Sequence, residues 1–512
     1  MDATITLGTR PLTVEDVTAV ARGRAVVEIS SEAISAMQAS RAHIDRLAQS
    51  GEPVYGVSTG FGALATKYID PSLRGQLQRS LIRSHAAGTG AEVETEVVRA
   101  MMLLRLATLC TGRTGVREST AGAYAGILNA GITPCVPEYG SLGCSGDLAP
   151  LSHCALALMG EGVVRDASGT LKCAAEALAA AGLTPVQLEE KEGLALINGT
   201  DGMLGMLVLA IVDLGNLVKV ADVTAAMSIE GLLGTDRVLA ADLQALRPHP
   251  GQAASARNMT RMLEGSGIIA SHRTSDNRVQ DAYSLRCAPQ VAGAVRDTIA
   301  HAETVASREL ASAIDNPVVM PDGRVESNGN FHSAPVAYVL DFLAIVAVDL
   351  ASMSERRCDR ALDTARSHGL PPFLAQDAGV DSGHMIAQYT AASIVSEMKR
   401  LAAPASVDSI PSSAMQEDHV SMGWSAARKL RRSIDGLARV LGIELITAAR
   451  ALDLRSPLAP SPGTAAVLAL VRGRVAGIGP DRFMAPEIEN AFEMVIGGEV
   501  VAAAQALVGE ME

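Results

Sequence analysis

Residues Tyr139 to Pro150 read Tyr-Gly-Ser-Leu-Gly-Cys-Ser-Gly-Asp-Leu-Ala-Pro, and a helix-like run, Leu148 to Met159, begins within them. Glycine accepts backbone conformations that other residues resist, so this stretch predicts a tightly folded loop. In such a loop the amide nitrogen of Gly146 can approach the carbonyl carbon of Cys144, because Gly146 has no Cβ in the way. Closure of a five-membered ring, with loss of water from the ring and from the Ser145 side chain, leaves a methylidene group. The stretch can therefore produce an electrophile from its own backbone.

The same residues allow other interpretations. A dinucleotide-binding glycine fingerprint is disfavoured, because no β-rich run precedes the glycines and no strand–helix alternation surrounds them. Cys144 can instead be a thiol nucleophile, which needs a histidine nearby in space, and His153 is close in sequence. A structural cysteine is the commoner outcome. The residues alone leave the ring, the nucleophile and the structural interpretation open.

The whole chain is long, acidic and poor in aromatic residues. Its 512 residues correspond to about three average domains, although a helical protein can form a longer single unit. Hydrophobic residues make up 48% and aromatic residues 3%, so the core must consist of Leu, Ala, Val, Ile and Met, which favours close helix packing. The net charge of −13, without an extended basic run, argues against a nucleic-acid partner.

Cysteine use, the N-terminus and the apolar runs bear on location. Seven cysteines show no paired framework and no Cys-x-x-Cys spacing, which indicates a reduced cytoplasm, and the N-terminus carries no export signal. The apolar runs Met203 to Val212 and Phe342 to Val348 end at Asp213 and Asp349, short of the roughly 20 residues of a membrane span. Buried helices and no membrane partner are expected. The ten histidines form no His-Glu-x-x-His or similar cluster, so no metal site is expected.

Local patterns predict mostly helices. Thr13 is a candidate helix cap, and an amphipathic helix is predicted from Ser31 to about Gly51. The next apolar helix face carries His85 and is formed by Leu73, Leu77, Leu81 and Ile82. Further predicted elements are helices over Glu92 to Cys110 and Arg117 to Ala130, a small hairpin over Val163 to Lys172, and a bundle helix with apolar residues at 430, 434, 437, 441 and 445.

Several polar side chains have both a structural and a functional interpretation. Tyr55, in Tyr-Gly-Val-Ser-Thr-Gly-Phe-Gly, is either the anchor of a surface turn or a phenol on a flexible lid. Asn198 or Thr200 can cap the long apolar helix that follows. Arg286 is either a salt-bridged surface group or a fork for a carboxylate, and Glu417 is ordinarily a solvated loop acid.

These motifs together resemble the aromatic amino acid ammonia-lyases over nearly the whole chain. In that family a Ser-Gly-Asp-Leu-Ala-Pro-Leu core forms the prosthetic group 4-methylideneimidazol-5-one (MIO), and here this core is Ser145 to Leu151. The resemblance implies that Cys144, Ser145 and Gly146 form the MIO. Cys144 stands where Ala is usual, and only its backbone enters the ring. The other matching stretches, in family order, are Tyr55 to Gly62, Ser84 to Gly88, Asn198 to Gly202, Val279 to Cys287, Ile314 to Pro317, Gly329 to His332, Gly383 to Gln388 and Ala414 to His419.

The resemblance also implies roles around the MIO. Tyr55 is similar to the catalytic base of the family, and Tyr283 to the tyrosine beside the MIO, with Gln280 supporting the same region. Asn198 corresponds to a polar contact to the ring oxygen or the substrate, and Phe331 to a side chain against the ring.

The resemblance also implies which side chains contact the substrate. Arg286 corresponds to the residue that grips the substrate carboxylate, and Asn316 to a neighbour of that carboxylate. His85 and Glu417 are similar to the pair that approaches the imidazole in histidine-specific members, and Met385 to a pocket residue.

The resemblance implies a mainly α fold with a long central helical bundle and a smaller N-terminal domain that carries the MIO loop, divided as residues 1–200 and 201–512. It further implies a homotetramer whose active sites are assembled from three subunits. The expected reaction is elimination of ammonia from L-histidine to give trans-urocanate, the first step of histidine degradation. A tyrosine ammonia-lyase or tyrosine aminomutase is the alternative, because His85 can also bond a phenol hydroxyl. Composition alone also allows a non-catalytic helical scaffold.

Overall fold

The computed structural model describes residues 4–50, 54–60, 62–64, 66–274 and 278–512. Phe61, part of the predicted Tyr55 loop, and Gly51, the expected end of a helix, lie outside the described residues. The chain is 59% helical with few strands, which confirms the mainly α fold class.

The helices include several that are much longer than the average of a globular protein. They are α1 (Val14–Ala21), α2 (Ser31–Gln49), α3 (Arg74–His85), α4 (Thr95–Leu109), α5 (Glu118–Asn129), α6 (Leu148–Leu158), α7 (Ala174–Ala180), α8 (Glu192–Ala195), α9 (Asp201–Gly231), α10 (Ala241–Ala245), α11 (Pro250–Leu263), α12 (Gly267–Ser271), α13 (Tyr283–Arg286), α14 (Ala288–Leu310), α15 (Ala334–Leu362), α16 (Met385–Leu401), α17 (Gly423–Leu454), α18 (Pro462–Arg472), α19 (Ala485–Ile496) and α20 (Glu499–Val508).

The strands are short and form small sheets. They are β1 (Thr4–Leu7), β2 (Val26–Ile29), β3 (Thr89–Glu92), β4 (Thr133–Pro134), β5 (Pro137–Tyr139), β6 (Val163–Arg165), β7 (Leu171–Cys173), β8 (Val318–Val319) and β9 (Val325–Glu326). β1 pairs with β2 in parallel, whereas β3–β5, β4–β6–β7 and β8–β9 are antiparallel.

The chain divides into two compact units, each built from separate stretches of sequence. The first comprises Met1–Leu209, Glu303–Asp341 and Pro404–Arg428, and the second comprises Ala210–Ala302, Phe342–Ala403 and Lys429–Glu512. The expected division at residue 200 is continuous in sequence and stays a prediction.

Two local predictions are confirmed. Thr13 caps α1, because its hydroxyl accepts from the Asp16 amide at 3.2 Å and the Asp16 carboxylate accepts from the Thr13 amide at 2.9 Å. The predicted hairpin is formed by β6 and β7, with Val163 opposite Cys173.

Two other local predictions need correction. The helix expected from Glu92 begins at Thr95, because Glu92 ends a strand that pairs with Pro137 of β5. The apolar face predicted for α3 is confirmed at Leu81 and Ile82, which are 4% and 0% exposed. It is wrong at Leu73, which is 51% exposed, and it omits Arg74 and Gln78, which are buried. These polar side chains lie inside because they bond backbone there, as when Gln78 accepts from the Gly193 amide at 2.9 Å.

The apolar runs are longer than the sequence argument assumed. α9 and α15 are each long and apolar enough to cross a membrane. α19 and α20, which meet at an angle of 61°, are long and apolar enough only when the two helices are taken together. The expectation that the segment ending at Asp213 is too short for a membrane span is wrong, because α9 continues through Asp213 to Gly231. The Arg431 guanidinium pairs with the Asp213 carboxylate at 2.9 Å. The apolar windows of α9 and α15 are 72% and 56% buried within the protein, which accounts for their composition as core. The absence of a membrane partner stays a prediction.

A buried ion pair supports the second unit. The Arg357 guanidinium donates to both carboxylate oxygens of Glu444 at 2.5 and 2.8 Å, and the two side chains are only 2% and 1% exposed. The hydroxyls of Thr224 and Ser228 also donate to this carboxylate, at 2.9 and 2.7 Å. Every charge in the cluster is therefore matched by a partner.

Replacement of Glu444 by Leu is expected to destabilise the protein strongly, because Arg357 then remains buried without its carboxylate. Loss of one partner of a buried pair costs about 3–5 kcal/mol. Asp435→Ala, on the same helix, breaks an exposed pair with Arg439 and is expected to cost about 0.5 kcal/mol or less. Chemical denaturation of the two variants measures the difference, and equal losses would contradict the assignment.

Candidate active site

The loop between β5 and α6 is compressed to a degree that only glycine permits. Gly143 and Gly146 have φ angles of 65° and 77°, in the left-handed region. A Cβ on Gly146 would overlap the Gly199 carbonyl, and a Cβ on Gly143 would overlap nearby side-chain oxygens. The Cys144-Ser145-Gly146 tripeptide is therefore enclosed by protein at both ends.

Asp147 fixes the end of this loop to the start of α9. Its buried carboxylate accepts from the amides of Gly202 and Met203 at 2.9 and 3.0 Å and from the Ser141 hydroxyl at 2.9 Å. The first N–H groups of a helix lack partners within the helix, so Asp147 serves as its cap from a distant segment. The predicted cap by Asn198 or Thr200 is wrong, because both side chains bond elsewhere.

Two serines hold the other end of the loop. Ser333 and Ser421 donate to the Gly143 carbonyl at 3.1 and 2.9 Å. Ser333 directly precedes α15, and Ser421 lies two residues before Gly423, the first residue of α17. The N-termini of α9, α15 and α17 thus meet at one loop, and their partial positive charges favour electron-rich groups there.

Glu417 lies against the tripeptide. Its carboxylate accepts from the Ser145 hydroxyl at 3.2 Å and from the Ser412 hydroxyl at 2.8 Å. Ser412 and Glu417 also exchange backbone hydrogen bonds across a tight turn. Both oxygens of the acid are therefore held by hydroxyls.

Tyr55 and His85 lie near the same carboxylate. Burial raises the pKa of the Tyr55 phenol, the hydrogen bond from the Gly62 amide at 3.2 Å opposes the rise, and the charge of Glu417 adds to it. Burial lowers the pKa of the His85 imidazole, and Glu417 opposes that fall. One acid thus influences a phenol, an imidazole and Ser145.

The thiol of Cys144 is buried and stays protonated near neutral pH. Burial and the nearby Glu417 raise its pKa to about 12. The imidazole of His153 accepts from the Gly88 amide at 3.2 Å. Since the thiolate is the reactive form of cysteine, this environment weighs against Cys144 as a nucleophile.

Asn198 and Asn316 are neighbours behind the loop. The Asn198 side-chain amide donates to the Asn316 carbonyl at 2.8 Å, while the buried Asn198 Oδ1 has no hydrogen-bond partner among the residues that the structure describes. The fully buried Arg105 guanidinium donates to the carbonyls of Asn198 and Ile314, both at 2.7 Å, and so holds the two segments together. An unsatisfied buried acceptor is costly and marks a place where a donor is missing.

The remaining predicted residues are distributed over both units. Phe331 is half-buried in the first unit, while Gln280, Tyr283, Arg286 and Met385 belong to the second. The Arg286 guanidinium stacks on the Tyr283 ring at 4.6 Å, and Tyr283 is 69% exposed.

Met385 is the first residue of α16 and lines a cavity of about 360 Å³ in the second unit with Phe373, Gln388 and Tyr389. Across the described ranges, no three His, Cys, Asp or Glu side chains group so as to hold a metal ion.

Sequence reasoning missed Arg105, Ser333, Ser412 and Ser421. Arg105 interrupts the apolar run from Met101 to Leu106, and a charged residue in such a run is a usable sequence signal. In the structure its side chain is 0% exposed. The serines gave no signal, because a serine beside a turn or a helix start is an ordinary cap.

The chain is similar in sequence and in fold to known aromatic amino acid lyases and aminomutases. The family model described as aromatic amino acid lyase matches residues 12–473. A histidine ammonia-lyase of Streptomyces coelicolor is 65% identical over 99% of both chains. Among solved structures, a histidine ammonia-lyase from Trypanosoma cruzi superposes with a TM-score of 0.91 at 39% identity, covering 99% of this chain and 96% of that one. A tyrosine aminomutase from Streptomyces globisporus superposes with a TM-score of 0.93 at 37% identity over the full length of both chains.

The Asp147 carboxyl should make stability depend on pH. Burial raises its pKa to about 7, against the hydrogen bonds it accepts, so the folded protein binds a proton there more tightly than the unfolded chain does. Stability from this group should be lost as pH rises from about 4 towards about 7. The unfolding free energy of wild type minus that of Asp147→Asn should therefore fall between pH 5 and pH 7. A difference that is constant or rises with pH would contradict this.

Proposed function

The chain belongs to the aromatic amino acid lyase family and is a carbon–nitrogen lyase, and we propose that it eliminates ammonia from L-histidine to give trans-urocanate, the first step of histidine degradation. The observation that carries the proposal is the position of Glu417, whose carboxylate accepts from Ser145 and influences the pKa of Tyr55 and His85. An imidazole N–H of the substrate requires such an acceptor. The 65% identity to a histidine ammonia-lyase supports the same substrate.

We propose that Cys144, Ser145 and Gly146 form the MIO group. The compressed loop supports this, because a side chain at position 146 would overlap the Gly199 carbonyl. The Oδ1 of Asn198, which no described residue bonds, and the three helix N-termini around the loop are also suited to a polar ring. Once formed, the group supplies an electrophilic methylene carbon that bonds the substrate amine and makes it a better leaving group.

Tyr55 is the proposed base that removes the weakly acidic β-proton of the substrate. Its ordinary phenol pKa of about 10 is far above neutral pH. Burial raises that pKa further, so the phenolate is a strong base but a minor species. The Gly62 amide donates to the phenol oxygen and favours the ionised form.

The other proposed roles concern orientation. Arg286 and Asn316 hold the substrate carboxylate, and a planar guanidinium is suited to that task. The Nε of Arg286 is buried and has no hydrogen-bond partner within the described part of the chain. His85 and Glu417 hold the imidazole, and Met385 lines the pocket.

Asn198, Gln280, Tyr283 and Phe331 are proposed to surround the MIO and the substrate. Tyr283 and Gln280 are exposed on the single chain, as expected of residues that complete a site in another subunit.

We propose a homotetramer whose active sites are each assembled from three subunits. One face of α15 carries an exposed apolar stripe at helical spacing, formed by Tyr338, Phe342 and Ile345 at 59%, 46% and 42% exposure. Such a stripe on a soluble enzyme is typical of a subunit interface. All seven cysteines are free thiols, which supports a cytoplasmic location.

The second candidate is a tyrosine ammonia-lyase or tyrosine aminomutase that uses the same group. The similarity to the Streptomyces globisporus tyrosine aminomutase favours it, and His85 can bond a phenol hydroxyl. Glu417 favours histidine, because its carboxylate is an acceptor suited to an imidazole N–H.

Incubation of the protein with L-histidine and L-tyrosine separately, with product identification by mass spectrometry, tests the substrate. We expect urocanate from histidine and no turnover of tyrosine. Ser145→Ala cannot form the methylidene and should lose nearly all turnover while folded, whereas Cys144→Ala should remain active. Full activity of Ser145→Ala would disprove the mechanism, and loss of activity in Cys144→Ala would favour a thiol nucleophile.

Glu417→Gln should change both substrate affinity and the pH profile. The substrate imidazole loses a charged acceptor, so KM for histidine should rise about 10- to 100-fold. The pKa of Tyr55 should fall when the neighbouring charge is removed, which moves the rising limb of the pH–rate profile to lower pH. Asp418→Asn, an exposed neighbour, removes the same charge and should change neither quantity. An unshifted limb in Glu417→Gln would contradict the coupling.

A further inference from the structure

Two buried hydroxyls that the proposed reaction does not use are directed at the backbone beside the tripeptide. Ser333 and Ser421 are 0% and 5% exposed, and their Oγ atoms lie 3.1 and 2.9 Å from the Gly143 carbonyl oxygen. The two Oγ atoms are 2.5 Å apart. Gly143 is enclosed by them so closely that a Cβ there would overlap both oxygens. The carbonyl just before Cys144 is therefore fixed in position.

Ordinary helix capping does not explain Ser333. The first turn of α15 bonds the backbone of Ser333 and not its side chain. The Ser333 carbonyl accepts from the amides of Val336 and Ala337 at 3.0 and 2.9 Å. Its hydroxyl is instead directed at Gly143 and Ser421, and within the described ranges it accepts from no helix amide. Ser421 does accept from the Gly423 amide at 3.1 Å, so it caps α17 and holds the loop at once.

The opposite end of the tripeptide is fixed independently. The Asp147 amide donates to the Gly199 carbonyl at 2.8 Å, and its carboxylate caps α9. Cys144, Ser145 and Gly146 thus lie between two fixed points. Their relative positions are set by the surrounding helices and not by the loop itself.

Ring formation requires this constraint, because an amide nitrogen is a poor nucleophile whose lone pair is delocalised into its carbonyl. The Gly146 nitrogen bonds the Cys144 carbonyl carbon, and that carbonyl oxygen leaves as water with the protons of the Gly146 and Ser145 nitrogens. A second water takes the Ser145 Oγ with its proton and the Cα proton, which leaves the methylidene. No oxidant or reductant is needed. Holding the two reacting atoms close together in the correct orientation can lower the activation free energy of ring closure substantially.

We propose that Ser333 and Ser421 are positioning residues for ring formation, acting by anchoring the Gly143 carbonyl while Asp147 anchors the other end. The inference rests on the proposed function, because it requires that the ring forms. Ser333 follows the segment of Phe331, and Ser421 follows that of Glu417. The anchors are complete only when both segments have docked, so the electrophile forms only after substrate-binding residues are in place.

The test follows ring formation directly by intact mass. The full chain is made by cell-free synthesis, samples are quenched in acid with time, and the loss of two water molecules is measured. Ser333→Ala and Ser421→Ala should each slow this loss about tenfold, and the double variant more, as expected for removal of one hydrogen bond at a time. Ser152→Ala is the matched control, because Ser152 is equally buried but donates within α6, to the Leu148 carbonyl at 2.6 Å.

Further measurements separate the possible outcomes. Thermal unfolding establishes that each variant is folded. Ser333→Thr keeps a hydroxyl at this position and should lose water at the wild-type rate. Variants that have completed ring formation should have the wild-type kcat. A wild type that never loses water overturns the proposed function. A wild type that matures while folded Ser333→Ala and Ser421→Ala mature at the same rate overturns only this inference. If one variant does not fold, the other supplies the measurement.

Discussion

The first unit depends on the capping of α9 by the buried carboxyl group of Asp147. A helix of this length begins with several unpaired N–H groups, and burying them without an acceptor would be costly. The acceptor comes from the end of the glycine-rich loop, so the loop and the helix can only be buried together. Ser333 and Ser421 attach the loop to two further helix starts. The shape of the loop follows from three long helices.

Electrostatics within this unit centre on one other acid, Glu417. Its two oxygens are held by Ser145 and Ser412, and its charge raises the pKa of Tyr55 while it opposes the fall for His85. A single negative charge therefore affects the proposed base and the proposed imidazole contact together. In the proposed reaction this acid would couple substrate recognition to proton abstraction, because burial weakens the screening of its charge by water.

The sequence predicted the elements that depend on local chemistry. The Thr13 cap, the β6–β7 hairpin and most helices follow from residue spacing and capping preferences. Errors arose where distant partners decide burial. Arg74 and Gln78 lie inside because backbone groups from elsewhere accept from them or donate to them. Asp213 lies within α9, where the Arg431 guanidinium pairs with its carboxylate. Such partners cannot be read from a local pattern.

By itself the sequence determined the helical class and the position of the Cys144-Ser145-Gly146 loop, because glycine spacing, apolar periodicity and ordered motifs are local properties. Only the tertiary structure decided what surrounds that loop. It brought Glu417 to Ser145 across 272 positions of sequence and Ser421 to Gly143 across 278. The physical reason is that a buried polar group must find a partner, and in a helical protein that partner often comes from the start of a distant helix.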